Sequence, residues 1–204
     1  MKQFLALGDS YTIGEGVAEH GRWPVQLAEA LRREGFAIGD PRIIATTGWT
    51  TGELATAIDA AEPLGNDWGF VTLLIGVNNQ YRGLGLDDYR DEFRPLLDRA
   101  IACAGGRASR VLVLSIPDWG VTPFATGAGR DPQAIAAGID AFNAVAHAIC
   151  DARGVRYVDI TPVSRRHGRE EAMLSEDALH PSAAMYGLWT GLALPAAREC
   201  LRAE

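Results

Sequence analysis

Short, continuously apolar runs alternate along the chain with longer segments in which apolar residues recur at spacings of three and four. The apolar runs cover residues 4–7, 42–45, 70–75, 111–114 and 155–158. The amphipathic segments cover residues 23–34, 51–61, 87–103, 131–151 and 182–200. A short apolar run is typical of a buried strand, and the longer spacing predicts a helix. The predicted order is therefore strand then helix, repeated along the whole chain.

The predicted strands are apolar at successive positions rather than at alternate ones. Strands of this kind are buried on both faces, which indicates a parallel sheet covered by helices on each side. We therefore predict an α/β fold, a three-layer, flavodoxin-like, doubly wound sandwich with a five-stranded parallel sheet. No repeat, low-complexity tract or linker divides the 204 residues, so we expect a single domain over residues 1–204.

Glycine and polar residues follow each of the first four predicted strands. The four segments are Gly8-Asp9-Ser10, Thr46-Thr47-Gly48-Trp49, Gly76-Val77-Asn78-Asn79 and Pro117-Asp118-Trp119-Gly120. Such residues also occur in ordinary loops, which would account well for any one segment but poorly for all four. Because binding sites of doubly wound sheets form at the carboxyl ends of the strands, we expect a functional site at this edge.

An acid and a base lie close together near the end of the chain, at Asp177 and His180. A serine hydroxyl becomes a good nucleophile when an imidazole takes its proton, and the imidazole needs a third group to hold its orientation. Ser10, His180 and Asp177 can fill these three roles if the segment turns enough for Asp177 to reach the ring. The alternative is a helix N-cap carboxylate beside a surface histidine. Pro181 is expected to open the following helix at its first position.

These blocks resemble the four marker blocks of the SGNH, or GDSL-type, esterases and acylhydrolases, some of them lysophospholipase-like, in the same order along the chain. The resemblance implies a serine hydrolase that cleaves carboxylic esters through an acyl-enzyme on Ser10, with Asp177 and His180 completing the triad. It also implies an oxyanion hole made by the backbone N–H groups of Ser10 and Gly48 and the side-chain amide of Asn78. One residue departs from the family pattern, since Asn79 stands where the Gly-x-Asn-Asp block has aspartate.

Residues beside these blocks are candidates for substrate binding, namely Trp49, Tyr81, Arg82 and Trp119. The segment 116–129 can form a cleft wall or lid, or an ordinary surface crossover. We expect a small to medium acyl ester, with lysophospholipid-type lipids, simple esters and O-acetylated carbohydrates left open. Two alternatives also remain open: an acyltransferase that uses the same triad, and a non-catalytic flavodoxin-like module that binds a phosphate or a flavin.

Charge and composition argue against several other classes. With 19 basic and 26 acidic residues the net charge is -7, which disfavours nucleic acid as a partner. No segment approaches the roughly 18 apolar residues of a membrane helix, and the first apolar run reads as a strand rather than a signal peptide. A cytoplasmic protein without a membrane span is therefore expected. His20, His147 and His167 lie in different segments of the chain, so we expect no metal or cofactor; the oligomeric state stays open.

Overall fold

A computed structural model describes residues 1–61 and 63–202, and it confirms the predicted α/β architecture. The strands are β1 (Lys2–Gly8), β2 (Ile38–Ala45), β3 (Phe70–Leu74), β4 (Val111–Leu114) and β5 (Arg156–Val158). They form one sheet in the order β2-β1-β3-β4-β5, and each neighbouring pair is parallel. This is the five-stranded parallel sheet that the apolar runs predict.

The helices of the described residues fall into a long and a short group. The long ones are α2 (Trp23–Arg33), α3 (Thr51–Ala60), α5 (Leu86–Cys103), α7 (Pro132–Arg153) and α9 (Ala183–Arg202). The short ones are α1 (Ser10–Ile13), α4 (Val77–Tyr81), α6 (Pro123–Gly127) and α8 (Thr161–His167). The long helices are those that the sequence predicts, within two residues at each end. The short helices have at most seven residues, which is too few for an apolar periodicity to be recognised.

The two helical layers lie on opposite faces of the sheet. Helices α2 and α9 pack together on one face, whereas α3, α5 and α7 pack on the other. The central strands between them are buried throughout, as Phe4, Leu7, Phe70 and Leu74 show with no exposed surface. Burial from both sides is the reason these strands are continuously apolar.

Strand β2 is longer than the apolar run 42–45 predicts, because it begins at Ile38. Its first half includes Pro41, and the pairing register with β1 shifts between Lys2 and Phe4. β2 lies at the edge of the sheet, and an edge strand accepts a proline because the missing N–H need not pair with a neighbour. Between Ile38 and Arg42 the strand is partly or largely exposed, so its first half carries no continuous apolar run.

The strand order places a topological switch point between β1 and β3. The chain leaves β1 for β2 on one side and then returns to β3 on the other, so the loops after β1 and β3 diverge. Ligands of open α/β sheets bind in the crevice at such a point, outside the carboxyl ends of the strands. Ser10 follows β1 and Asn78 follows β3, so both lie at this crevice.

Candidate active site

Ser10 begins α1, immediately after the end of β1. The turn needs glycine at position 8, because an added Cβ there would lie 2.2 Å from Thr12 Oγ1 and 2.5 Å from the Leu74 carbonyl oxygen. Asp9 then caps α1 by accepting a hydrogen bond from the Tyr11 N–H at 3.0 Å. Ser10 is 4% exposed, and the small exposed part lies in a cavity at the switch point.

Asp9 is fully buried beside Ser10 and acts as a cap. Burial raises the pKa of its carboxyl to about 7, although the hydrogen bond from Tyr11 opposes this rise. The contact with the backbone is the one that turn aspartates usually make. The structure therefore gives Asp9 a role in shaping the turn that presents Ser10.

The Asp177 carboxylate orients the His180 ring. Asp177 Oδ2 lies 2.5 Å from His180 Nδ1. A proton on Nδ1 that is donated to the carboxylate leaves Nε2 as the basic nitrogen of the neutral ring. Tyr11 supports the same imidazole edge-on, with its ring centroid 5.8 Å away.

The other oxygen of Asp177 is held by its own loop. Oδ1 accepts hydrogen bonds from the N–H groups of Leu179 and His180, both at 2.9 Å, and from the Ser175 hydroxyl at 2.7 Å. Partial burial alone would raise the pKa of Asp177, but the bonds from the His180 ring, the two N–H groups and Ser175 outweigh it and hold that pKa well below its usual range. The carboxylate therefore stays ionised throughout the range in which a histidine titrates.

A tight turn brings Asp177 and His180 together. Leu174 and Pro181 form an antiparallel bridge, and the Ser175 N–H donates to the His180 carbonyl at 2.8 Å. Between them, Ala178 adopts a left-handed φ of 57°. The expectation that Pro181 opens the last helix is wrong, because the bridge holds it extended and α9 begins at Ala183.

Gly48 and Asn78 approach the cavity from the loops after β2 and β3. Gly48 has a φ of +89°, and an added Cβ would have only Arg82 Nη2 within 4 Å, at 3.8 Å. The left-handed conformation, rather than a lack of space, is therefore what requires glycine. Asn78 Nδ2 donates one hydrogen bond to the Trp49 carbonyl at 2.8 Å. A carboxamide nitrogen carries two hydrogens, so the second is left for a group in the cavity.

These groups surround one cavity of about 210 Å³. Its polar lining consists of Ser10, Thr47, Gly48, Asn78 and His180. Its apolar and aromatic lining consists of Tyr11, Val77, Tyr81, Trp119, Phe124 and Leu179. The cavity thus offers polar groups for a reacting carbonyl group and apolar surface for its substituent.

A larger groove of about 530 Å³ lies between α5 and α7. Its lining is made of Arg90, Arg94, Ala144, Val145, Ala148, Ile149, Ala152 and Arg153. These described residues include no nucleophile and no acid–base pair. The cavity at the switch point brings the Ser10 hydroxyl, the Asn78 amide and the His180 imidazole together, and it is the candidate active site.

The family comparison agrees with the marker blocks. Residues 6–188 match the model of the GDSL-like lipase/acylhydrolase family. The chain belongs to this family. The resemblance noted in the sequence is thereby confirmed, and the GDSL-like chain is a carboxylic ester hydrolase.

Solved structures share the fold at low sequence identity. TesA is 20% identical with a TM-score of 0.76, over 98% of this chain and 100% of that one. The psychrotrophic esterase EstA from Pseudoalteromonas sp., in a structure inhibited by monoethylphosphonate, is 15% identical with a TM-score of 0.75, over 100% of both chains. An acetyl xylan esterase from Geobacillus stearothermophilus is 19% identical with a TM-score of 0.72, over 96% of this chain and 94% of that one. Comparison with curated protein sequences found no match.

The candidate substrate-binding residues of this GDSL-like chain separate into two pairs. Tyr81 and Trp119 line the cavity and meet edge-on, with ring centroids 5.3 Å apart. The side chain of Trp49 packs partly buried against the core, away from the cavity lining. Arg82 donates from Nη2 to the Gly48 carbonyl at 2.5 Å and pairs with Glu53. Arg82 therefore holds the loop rather than lining the cavity.

The segment 116–129 contributes Trp119 and Phe124 to the lining of the cavity. It contains a short 3-10 turn at Trp119–Val121, followed by α6. Trp119 is 4% exposed, and its Nε1 donates to Gln80 Oε1 at 2.9 Å. Sequence reasoning missed Tyr11, Val77 and Leu179 as cavity residues, although each adjoins a motif residue in the sequence.

Within 1–61 and 63–202, no three His, Cys, Asp or Glu side chains are grouped so that they could hold a metal ion. In the same part of the chain, no helix has the length and apolar character needed to cross a membrane.

Proposed function

We propose that the chain hydrolyses short acyl esters by transferring the acyl group to Ser10, with His180 as general base and Asp177 as the residue that orients it. The main support for this proposal is that Ser10, Gly48, Asn78 and His180 line one cavity while Asp177 holds the His180 ring. Nucleophile, base, orienting acid and carbonyl-binding donors are the parts that acyl transfer requires.

In the first half of the proposed reaction, His180 Nε2 takes the Ser10 hydroxyl proton as Oγ attacks the ester carbonyl carbon. The tetrahedral intermediate collapses when the bond to the alcohol oxygen breaks, and the imidazolium gives its proton to that oxygen. Water then repeats the sequence on the acyl-enzyme, which releases the carboxylic acid and restores Ser10. The ionised Asp177 stabilises the imidazolium that forms in each half.

Three donors are proposed to bind the carbonyl oxygen as it becomes negative. They are the backbone N–H groups of Ser10 and Gly48 and the free hydrogen of Asn78 Nδ2. The Trp49 carbonyl, which accepts the other hydrogen of Nδ2 at 2.8 Å, fixes the plane of the amide. Donors that are fixed before the reaction stabilise developing charge without reorganising during it.

The size and lining of the cavity favour a short acyl group. Its volume of about 210 Å³ lies below the roughly 300–1,000 Å³ of sites that enclose drug-sized ligands. Tyr81, Trp119 and Phe124 form an aromatic wall, which suits an alkyl chain better than a sugar ring. We therefore assign specificity for small acyl groups to this wall.

Hydrolysis of p-nitrophenyl esters from acetate to decanoate tests this assignment. We expect the highest kcat/KM at acetate to hexanoate and a steep fall beyond, because a methylene group that does not fit its pocket costs roughly 10- to 200-fold. Tyr81 is 44% exposed, so it can be truncated with little effect on the fold. Tyr81→Ala should raise the ratio of kcat/KM for octanoate to that for acetate by about tenfold.

Tyr81→Phe is the matched control, because it keeps the ring and should retain the wild-type chain-length profile. A wild-type preference for decanoate, or an unchanged octanoate-to-acetate ratio in Tyr81→Ala, would contradict the assignment. Hydrolysis of no ester in the series would contradict the proposed function itself.

A further inference from the structure

Asn79 is fully buried next to the proposed oxyanion residue Asn78. Its side chain makes two contacts with one residue at the start of α3. Oδ1 accepts from the Thr51 N–H at 3.1 Å, and Nδ2 donates to Thr51 Oγ1 at 2.7 Å. The residue that replaces the family aspartate therefore ties α4 to α3.

A carboxylate from a distant part of the sequence completes this contact. Thr51 Oγ1 donates its proton to Glu92 Oε2 on α5, and Asn79 Nδ2 lies 3.5 Å from the same oxygen. Two donors thus converge on one negative oxygen at the N-terminus of α3, where a negative charge is favourable. The site contains a carboxylate, although position 79 itself is neutral.

We infer that Glu92 is a positioning residue that supplies the negative charge which the family pattern places at position 79, and that Asn79 and Glu92 work as a matched pair. With Glu92 present, an aspartate at 79 would bring two carboxylates to the Thr51 hydroxyl. That hydroxyl has one proton and can satisfy one of them. Two carboxylates this close disfavour the ionised form of each other.

The pair acts on the loop that carries Gly48. Asn78 holds the Trp49 carbonyl, and Asn79 holds the Thr51 N–H two residues later. Adjacent residues of α4 therefore fix both ends of a three-residue stretch that directly follows Gly48. Loosening this stretch would move the Gly48 N–H relative to Ser10, and small displacements of an oxyanion donor are costly to catalysis.

The inference rests on the proposed function, and a double-mutant cycle tests it. We would compare the wild type with Asn79→Asp, Glu92→Gln and the double variant for p-nitrophenyl butyrate hydrolysis between pH 5 and 9. In the wild-type background, Asn79→Asp should lower kcat about tenfold at pH 8 with KM changed less than about threefold.

In the Glu92→Gln background, Asn79→Asp should raise kcat instead of lowering it. Glu92→Gln alone should lower kcat by about threefold, and adding Asn79→Asp should restore it to within about twofold of the wild type. Asp91→Asn is the matched control, because Asp91 is an exposed carboxylate beside Glu92 on α5; its kcat should equal that of the wild type. Equal losses from Asn79→Asp in both backgrounds would overturn the inference.

Melting temperatures separate this inference from the proposed function. If the wild type hydrolyses no ester, the proposed function fails. The coupling between Asn79 and Glu92 can still be measured from the melting temperatures at pH 8. Asn79→Asp should then lower the melting temperature by roughly 2–4 °C when Glu92 is present, and it should not lower it in the Glu92→Gln background. In that case, an equal change in melting temperature in both backgrounds would refute the inference.

Discussion

Replacement of His180 by alanine is expected to lower kcat for ester hydrolysis by roughly 10⁴- to 10⁶-fold while the fold is retained. The Ser10 hydroxyl would then have no base to take its proton, and Asp177 would have no ring to orient. The 2.5 Å contact between Asp177 and His180 Nδ1 makes these residues a single unit. Adding Asp177→Asn to His180→Ala should therefore cause little further loss, since residues that act together are not additive.

His147→Ala is the matched control for this variant. His147 lies on α7, where it stacks on Tyr157 with ring centroids 4.6 Å apart, outside the candidate site. The kcat of His147→Ala should equal that of the wild type. Steady-state kinetics should be used to compare kcat for the two variants, and circular dichroism should verify that both are folded. A His180→Ala enzyme that keeps more than about a hundredth of wild-type kcat would contradict the role of His180.

Asn78→Ala is expected to lower kcat by roughly 10²- to 10³-fold with a small change in KM. The amide is proposed to bind the carbonyl oxygen most strongly when that oxygen is negative, so its loss affects the transition state more than the bound substrate. The substitution also removes the bond from Nδ2 to the Trp49 carbonyl. Melting temperature should therefore be measured alongside kcat and KM.

Asn66→Ala, at an exposed position, serves as the control and should leave both constants unchanged. A fall in kcat/KM that came from KM alone would show that Asn78 binds substrate and transition state equally. That result would remove Asn78 from the proposed oxyanion hole.

The sequence predicts the central architecture well because the physical signals there are strong. Residues 4–7 and 70–75 lie between two helical layers, so they are apolar at successive positions and read clearly as buried strands. The strand-end loops meet at one edge because parallel strands share a direction. The shared position of Ser10, Gly48 and Asn78 at one cavity follows from that topology.

Features that depend on individual contacts outside regular helix and strand spacing could not be predicted. The bridge between Leu174 and Pro181 delays α9 to Ala183, and a proline by itself favours an earlier start. Likewise Asn79 reads as a simple departure from the family pattern, because nothing in the sequence connects it with Glu92, thirteen residues away.

The residues that line the cavity wall could likewise be predicted only in part. Tyr81 and Trp119 come from different loops, and aromatic residues beside motif blocks could be recognised as candidates. Trp49 has the same sequence signal, yet its side chain packs against the core instead of lining the cavity. Side-chain direction in irregular loops is set by tertiary packing, which a sequence pattern does not reveal.

Covalent trapping of Ser10 tests the central claim most directly. The protein would be incubated with a p-nitrophenyl alkylphosphonate, and intact-mass spectrometry and peptide mapping would follow the adduct while esterase activity is measured. We predict one phosphonyl group per chain, attached to Ser10, with loss of activity in proportion to labelling and neither labelling nor turnover in Ser10→Ala. Ester hydrolysis by Ser10→Ala at the wild-type rate, or an adduct on another residue that accounts for the lost activity, would contradict the account.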